Sequence, residues 1–110
     1  MKRALLDLIR NRVLVSDGAW GTFLQQKGLR PGECPELWNV THRDDVLAIA
    51  RSYVEAGADL IETNSFGGSP LKLDCRGLGE QAFEMNRRAA TIAKKAARGR
   101  ALVAGSVGPL

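Results

Sequence analysis

Three short runs dominated by aliphatic residues, 12–16, 58–63 and 101–106, lack the in-out alternation of a strand with one face in water. A strand that is apolar on both sides has to be covered on both sides, which is the condition of a parallel sheet flanked by helices. The text between the runs supplies those helices. Val46, Ile49, Ala50, Tyr53 and Val54 recur at helical spacing, and Gly57 stops that helix before the second run. Another helix is expected over 79–98, with Phe83, Ala90, Ala93 and Ala97 turned inward and Gly99 ending it. Parallel neighbours need crossover connections, so this order predicts consecutive right-handed β/α units and an α/β fold.

Finer boundaries follow from local signals. Ala4, Leu5, Leu8 and Ile9 share a face, which predicts an amphipathic helix over 2–11. Residues 20–27 have helical character and Gly28 closes them, whereas 29–39, with Pro31, Gly32 and Pro35, read as an irregular loop. Thr41, with Asp44 three positions on, has the pattern of an N-cap for the central helix. A glycine-rich loop, 66–70, follows the second strand. No break in composition divides the 110 residues, so one domain over 1–110 is expected.

Composition removes several classes of function. Hydrophobic residues make up 45% of the chain and charged residues 25%, which places it among globular proteins and away from disordered ones. No apolar run is long enough to span a membrane or to serve as a secretory signal, so the expectation is a cytoplasmic protein with no membrane partner. The net charge of +4 comes largely from the first dozen residues and from 87–100, where cations alternate with alanines as on a solvated helix face. Without interleaved aromatics for base stacking, that face predicts no nucleic-acid partner. Cys34 and Cys75 are far apart and lack metal-ligand spacing, so two free thiols are expected and no metal site. Fingerprints for dinucleotides, P-loop phosphates, zincins and nucleophile elbows are absent from the sequence.

Chemistry-bearing residues gather where each predicted strand stops. The three ends read Ser16-Asp17-Gly18-Ala19-Trp20-Gly21-Thr22, Glu62-Thr63-Asn64-Ser65-Phe66-Gly67 and Gly105-Ser106-Val107-Gly108-Pro109. In parallel sheets, the loops at the C-terminal ends of the strands converge and build the site. Asp17, Gly18, Glu62, Thr63, Asn64 and Ser106 are therefore expected around one opening, where glycines let a ligand approach main-chain N–H groups. Taken singly these residues have plainer readings. Asp17-Gly18 is equally a turn, Glu62 equally a partner for a lysine, and Asn64 equally a main-chain tether. His42 reads as a solvated first-turn residue. Trp20 and Phe66 read as packing residues that also wall the opening, and Tyr53 reads as core.

Taken together, the three ends resemble the homocysteine S-methyltransferase family. Residues 15–22 resemble its opening DGAxGT motif, residues 53–67 its second-strand block and residues 105–109 its third, and Glu36-Leu37-Trp38-Asn39 leans towards the methionine synthase branch. The resemblance implies a (β/α)8 TIM barrel of which this chain supplies the first three parallel strands with their helices. It implies homocysteine as substrate, with Asp17 facing its ammonium, N–H groups near Gly18 its carboxylate, and Glu62, Thr63 and Asn64 lining the same mouth. The family's zinc, held by three cysteines on later strands, activates the thiol for attack on a methyl donor, with cobalamin on a separate domain as one source of that methyl group. Neither Cys34 nor Cys75 matches a zinc-cysteine motif, so the resemblance implies a fragment without zinc ligands and without activity of its own. The alternative is a non-catalytic α/β piece that completes its barrel with another polypeptide. Either way, open strand edges predict self-association.

Overall fold

Asp59, near the start of the second expected strand, decides how the first one is held. In the computed structural model, which describes residues 4–109, both oxygens of its carboxylate take hydrogen bonds from Arg12, at 3.0 and 2.8 Å. One oxygen also accepts the main-chain N–H of Val15 at 2.9 Å. A side chain thus occupies a position that a neighbouring strand's carbonyl would fill. Around it, the Val15 carbonyl accepts Asp59 N–H at 2.8 Å and the Asp17 N–H reaches the Leu60 carbonyl at 2.8 Å. The expected strand 12–16 is accordingly reduced to one parallel bridge, Ser16 to Leu60. The direction foreseen for it holds, but its length does not.

Among the described residues the sheet has two strands, β1 (Leu60–Glu62) and β2 (Leu102–Ala104), running parallel with Leu60 opposite Leu102, Ile61 opposite Val103 and Glu62 opposite Ala104. Both are shorter than the apolar runs that predicted them. Ile61 is fully buried against the helices α4 (Arg43–Glu55) and α6 (Ala82–Ala97), in a core with Ala50, Val54, Ala93 and Ala96. Alanines at this contact let both helices lie close to the sheet. By strand alternation Leu60, Glu62, Leu102 and Ala104 face the other way, and all four are only half-buried. Cover on both faces was expected, and among the described residues the helices supply it on one.

A second core joins Leu24 of α2 (Gly21–Gln26) and Trp38 of α3 (Trp38–Thr41) to Val46, Ile49 and Ile92. The segment 29–39, expected as a loop, contains a 3-10 turn over Pro35–Leu37 and the start of α3. Thr41 ends α3 instead of capping α4: its hydroxyl donates to the Leu37 carbonyl at 3.3 Å, and His42 holds the N-cap position without a side-chain bond. The His42 ring stacks on Trp38 with centroids 4.0 Å apart. The helix α5 (Pro70–Asp74) was not foreseen; Ser69 starts it by accepting the Lys72 N–H at 3.2 Å.

The face of α6 also differs from expectation. Ala93 and Ala97 are buried as expected, but Phe83 is 80% exposed and Ala90 is exposed. Met85, Ala89, Ile92 and Ala96 set the phase, at the i, i+4, i+7 and i+11 spacing of one helical stripe, and a 3-10 turn over Gly79–Gln81 precedes the helix. Aromatic bulk at Phe83 pointed to the wrong side. The helix α1 (Ala4–Asn11) lies at the surface, with Leu5 and Ile9 exposed; Lys2 and Arg3, also expected in it, lie outside the described residues. Among the described residues no helix is long and apolar enough to cross a membrane.

Candidate functional site

Asp17 leaves the sheet beside Leu60, and its carboxylate turns back on the neighbouring strand end. One oxygen accepts the indole N–H of Trp20 and the main-chain N–H of Glu62, each at 2.9 Å. The other accepts the Ser16 hydroxyl at 3.2 Å. Gly18 follows against Tyr53, where an added Cβ would lie 3.3 Å from the phenol oxygen. That phenol donates to the Ala19 carbonyl at 2.5 Å, and burial first, then the negative charge of Asp17, holds its pKa above the usual tyrosine range. The plain readings of Asp17-Gly18 and Tyr53 thus have a physical basis, since turn, tryptophan and tyrosine form one bonded unit.

Beyond β1 the chain carries three hydroxyl and amide residues in succession, all buried: Thr63, Asn64 and Ser65. The Ser65 hydroxyl donates to the Ser106 carbonyl at 2.9 Å, so in its 2.5 Å contact with Thr63 it must be the acceptor. The Thr63 oxygen in turn accepts the Ser106 N–H at 3.0 Å. This closed ring ties the end of β1 to the end of β2 and leaves no hydroxyl proton to offer a ligand. Asn64 turns away from it, donating to the Pro35 carbonyl at 2.9 Å and to the Asn39 side-chain oxygen at 3.1 Å. Asn39, fully buried, returns its amide to the carbonyls of Asn64 at 2.9 Å and Met85 at 3.2 Å.

A cleft of about 190 Å³ opens between these ends. Gly18, Glu62, Thr63 and Asn64 line it, joined by Trp20, Ser65, Phe66 and Ser106. Asp17 is not on its wall; its carboxylate stands behind, bonded to two of the residues that are. Among the described residues no cation pairs with Glu62. With the Thr63 and Ser65 hydroxyls satisfied and the Glu62 carboxylate on the wall, the cleft favours a ligand that brings hydrogen-bond donors or positive charge.

Sequence reasoning missed two supporting residues, Glu36 and Asn39. Both lie in the segment read as loop, where hydrophilic side chains gave no sign that a fold would bury them to 6% and 0% exposure. A larger depression, about 740 Å³, is lined by Leu5, Leu60, Lys94, Leu102 and Val103 and shares Thr63 with the cleft.

Among the described residues no three histidine, cysteine or carboxylate side chains converge as metal ligands. The Cys34 thiol is buried, donates to Glu36 at 3.4 Å and has its pKa pushed up, chiefly by that burial. Cys75 is exposed, with its thiol 3.8 Å from the Leu71 carbonyl. This donor set does not fit a zinc site.

The family model for homocysteine S-methyltransferase matches residues 14–110, a span holding all three strand ends. The chain belongs to the homocysteine S-methyltransferase family. Among curated relatives of the family, the methionine synthases of Mycobacterium tuberculosis and Mycobacterium leprae are 36% and 37% identical over 99 residues, which is 84% of this chain and 8% of theirs. The homocysteine S-methyltransferase of Escherichia coli is 33% identical over 121 aligned positions, covering 97% of this chain and 38% of that protein. The chain therefore spans well under half the length of these relatives. Crystal structures of the Escherichia coli homocysteine methyltransferase MmuM agree in fold: the metallated form has a TM-score of 0.79 at 28% identity, covering 96% of this chain and 41% of that one. The oxidized form has a TM-score of 0.71 at 30% identity, covering 97% and 40%.

Proposed function

We propose that this chain is the opening part of a (β/α)8 barrel that binds homocysteine and, when complete, methylates its sulfur. The observation that carries the proposal is the convergence of the ends of 12–16, β1 and β2 on one cleft, with the strands parallel. The half-buried face of β1 and β2 supports the barrel, since it suits a wall whose inward side chains pack against those of further strands. A complete barrel of this type takes about 250 residues.

Within the cleft, Glu62 and the carboxylate field of Asp17 behind it would hold the ammonium of homocysteine. Main-chain N–H groups around Gly18 would receive its carboxylate, and Thr63 and Asn64 would shape the wall. In the family, zinc lowers the pKa of the substrate thiol so that the thiolate attacks the methyl donor. The residues described here do not form that zinc site, so activation of the thiol is not assigned to them, and neither is a cobalamin contact. The uncovered face also favours a second reading, in which another polypeptide completes the barrel. The coding frame beyond residue 110 separates the two, since a cysteine-bearing strand end there supports the first.

Calorimetric titration of homocysteine into the 110-residue chain, with and without zinc, tests the assignment. Binding should be indifferent to zinc and should weaken by about tenfold in Glu62→Gln and in Asp17→Ala. No homocysteine binding by the chain, or wild-type affinity in both variants, overturns the site. The chain alone should form no methionine from homocysteine and a methyl donor; turnover would refute its dependence on missing parts. Sedimentation should show self-association through the open edges.

A further inference from the structure

A carboxylate is costly to bury without a partner charge, yet Glu36 is 6% exposed and has no cationic partner among the described residues. Its two oxygens are spent on neutral donors: one accepts the Gly67 N–H at 3.0 Å, the other the Cys34 thiol at 3.4 Å. Gly67 belongs to the loop leaving β1, next to Phe66, which is 62% exposed on the cleft wall. The approach is close, since a Cβ on Gly67 would lie 3.2 Å from one Glu36 oxygen. On either side the loop is tied elsewhere, through the Phe66 carbonyl to Gly108 N–H at 3.0 Å and through the Gly68 carbonyl to the Asn86 amide at 2.9 Å. Between those two ties Glu36 holds the Gly67 N–H, and the Gly68 N–H returns to the Ser65 carbonyl at 3.0 Å.

If bulk alone were needed at this position, an apolar side chain of similar volume would serve at no desolvation cost. What leucine cannot do is accept the Gly67 N–H. We propose that Glu36 is a positioning residue for the cleft, whose buried carboxylate fixes the Gly67 main chain so that Phe66 stands as an apolar wall against the methylene chain of a sulfur amino acid. This rests on the homocysteine reading of the cleft. Glu36 acts through the loop and touches no ligand.

The test compares wild type, Glu36→Leu and Glu36→Gln on the full 110-residue chain by amide hydrogen exchange at Gly67 and by homocysteine calorimetry, with thermal melting as a control. Glu36→Leu should speed Gly67 exchange and weaken homocysteine binding, each by about tenfold, while the melting temperature holds. Glu36→Gln, which keeps an acceptor oxygen, should restore most of both. Should Glu36→Leu fail to fold, Gly67→Ala crowds the same bond from the loop side and is read in the same two ways. Unchanged exchange or unchanged affinity in the variant, or no rescue by glutamine, overturns the proposal while the homocysteine site stands. Absence of homocysteine binding in wild type overturns the site itself and this inference with it.

Discussion

The carboxylate of Asp17 and the main-chain N–H of Glu62 meet at 2.9 Å across 45 positions of sequence. The same oxygen holds the indole of Trp20, so one acceptor joins the first strand end, the second, and a wall of the cleft. Removing it in Asp17→Ala orphans both donors and should cost about 1–3 kcal/mol in urea unfolding. Asp17→Asn, which keeps one carbonyl oxygen, should lose less than the alanine variant, and equal losses would show that charge rather than acceptance matters.

Asn39 has no exposed surface and spends its amide on three partners in two other segments. Asn39→Ala should destabilise the chain by on the order of 3 kcal/mol, because the carbonyls of Asn64 and Met85 lose a donor with no water to replace it. Asn39→Asp should be as damaging, since a carboxylate cannot donate to those carbonyls. Denaturation midpoints would measure both.

Met85 and Phe83 are two residues apart on α6 and should respond in opposite ways. Met85 is fully buried, so Met85→Ala should cost roughly 2–5 kcal/mol. Phe83, 80% exposed, should tolerate serine within about 0.5 kcal/mol in this chain. A large loss at Phe83 in thermal melts would restore the inward face expected from sequence.

Two carboxylates make stability fall in acid. Hydrogen bonds from Arg12 and from the Val15 N–H hold the Asp59 pKa below its usual 3.8, and Arg87 and Arg88 hold Glu84 down from 4.5 to about 2. A depressed native pKa means that the unfolded chain binds more protons, so the contribution is present above the ordinary carboxylate range and disappears as pH falls through the lowered value. Both pairs lie near the surface, and screening keeps each effect small. Urea midpoints should decline as pH falls below about 4.5 and on towards 2. Asp59→Asn should flatten part of that decline; a variant profile parallel to wild type would remove Asp59 from the account.

Much of this was legible in the chain because it depends on local pattern. The central helix announced itself through Val46, Ile49, Ala50 and Val54, all buried, and its stop through Gly57, which sits at φ +102° where a side chain would be strained. Gly18, Glu62, Thr63, Asn64 and Ser106 line one cleft, with Asp17 behind it, because parallel strands present their C-terminal ends together. Glu36 was not legible as a buried residue. Its carboxylate is held by an N–H 31 positions away, and nothing in the neighbouring sequence marks that contact.

By itself the sequence determined the α/β class, the parallel direction of the strands and which ends carry the polar residues, since hydrophobic period and glycine placement act within a few residues of where they are read. Only the tertiary structure decided that Asp59 would stand in for a strand partner, that α6 would turn Met85 inward and Phe83 outward, and that Asn39 and Glu36 would be buried to hold the cleft. Those outcomes rest on hydrogen bonds and packing between segments distant in sequence, and such contacts have no local signature.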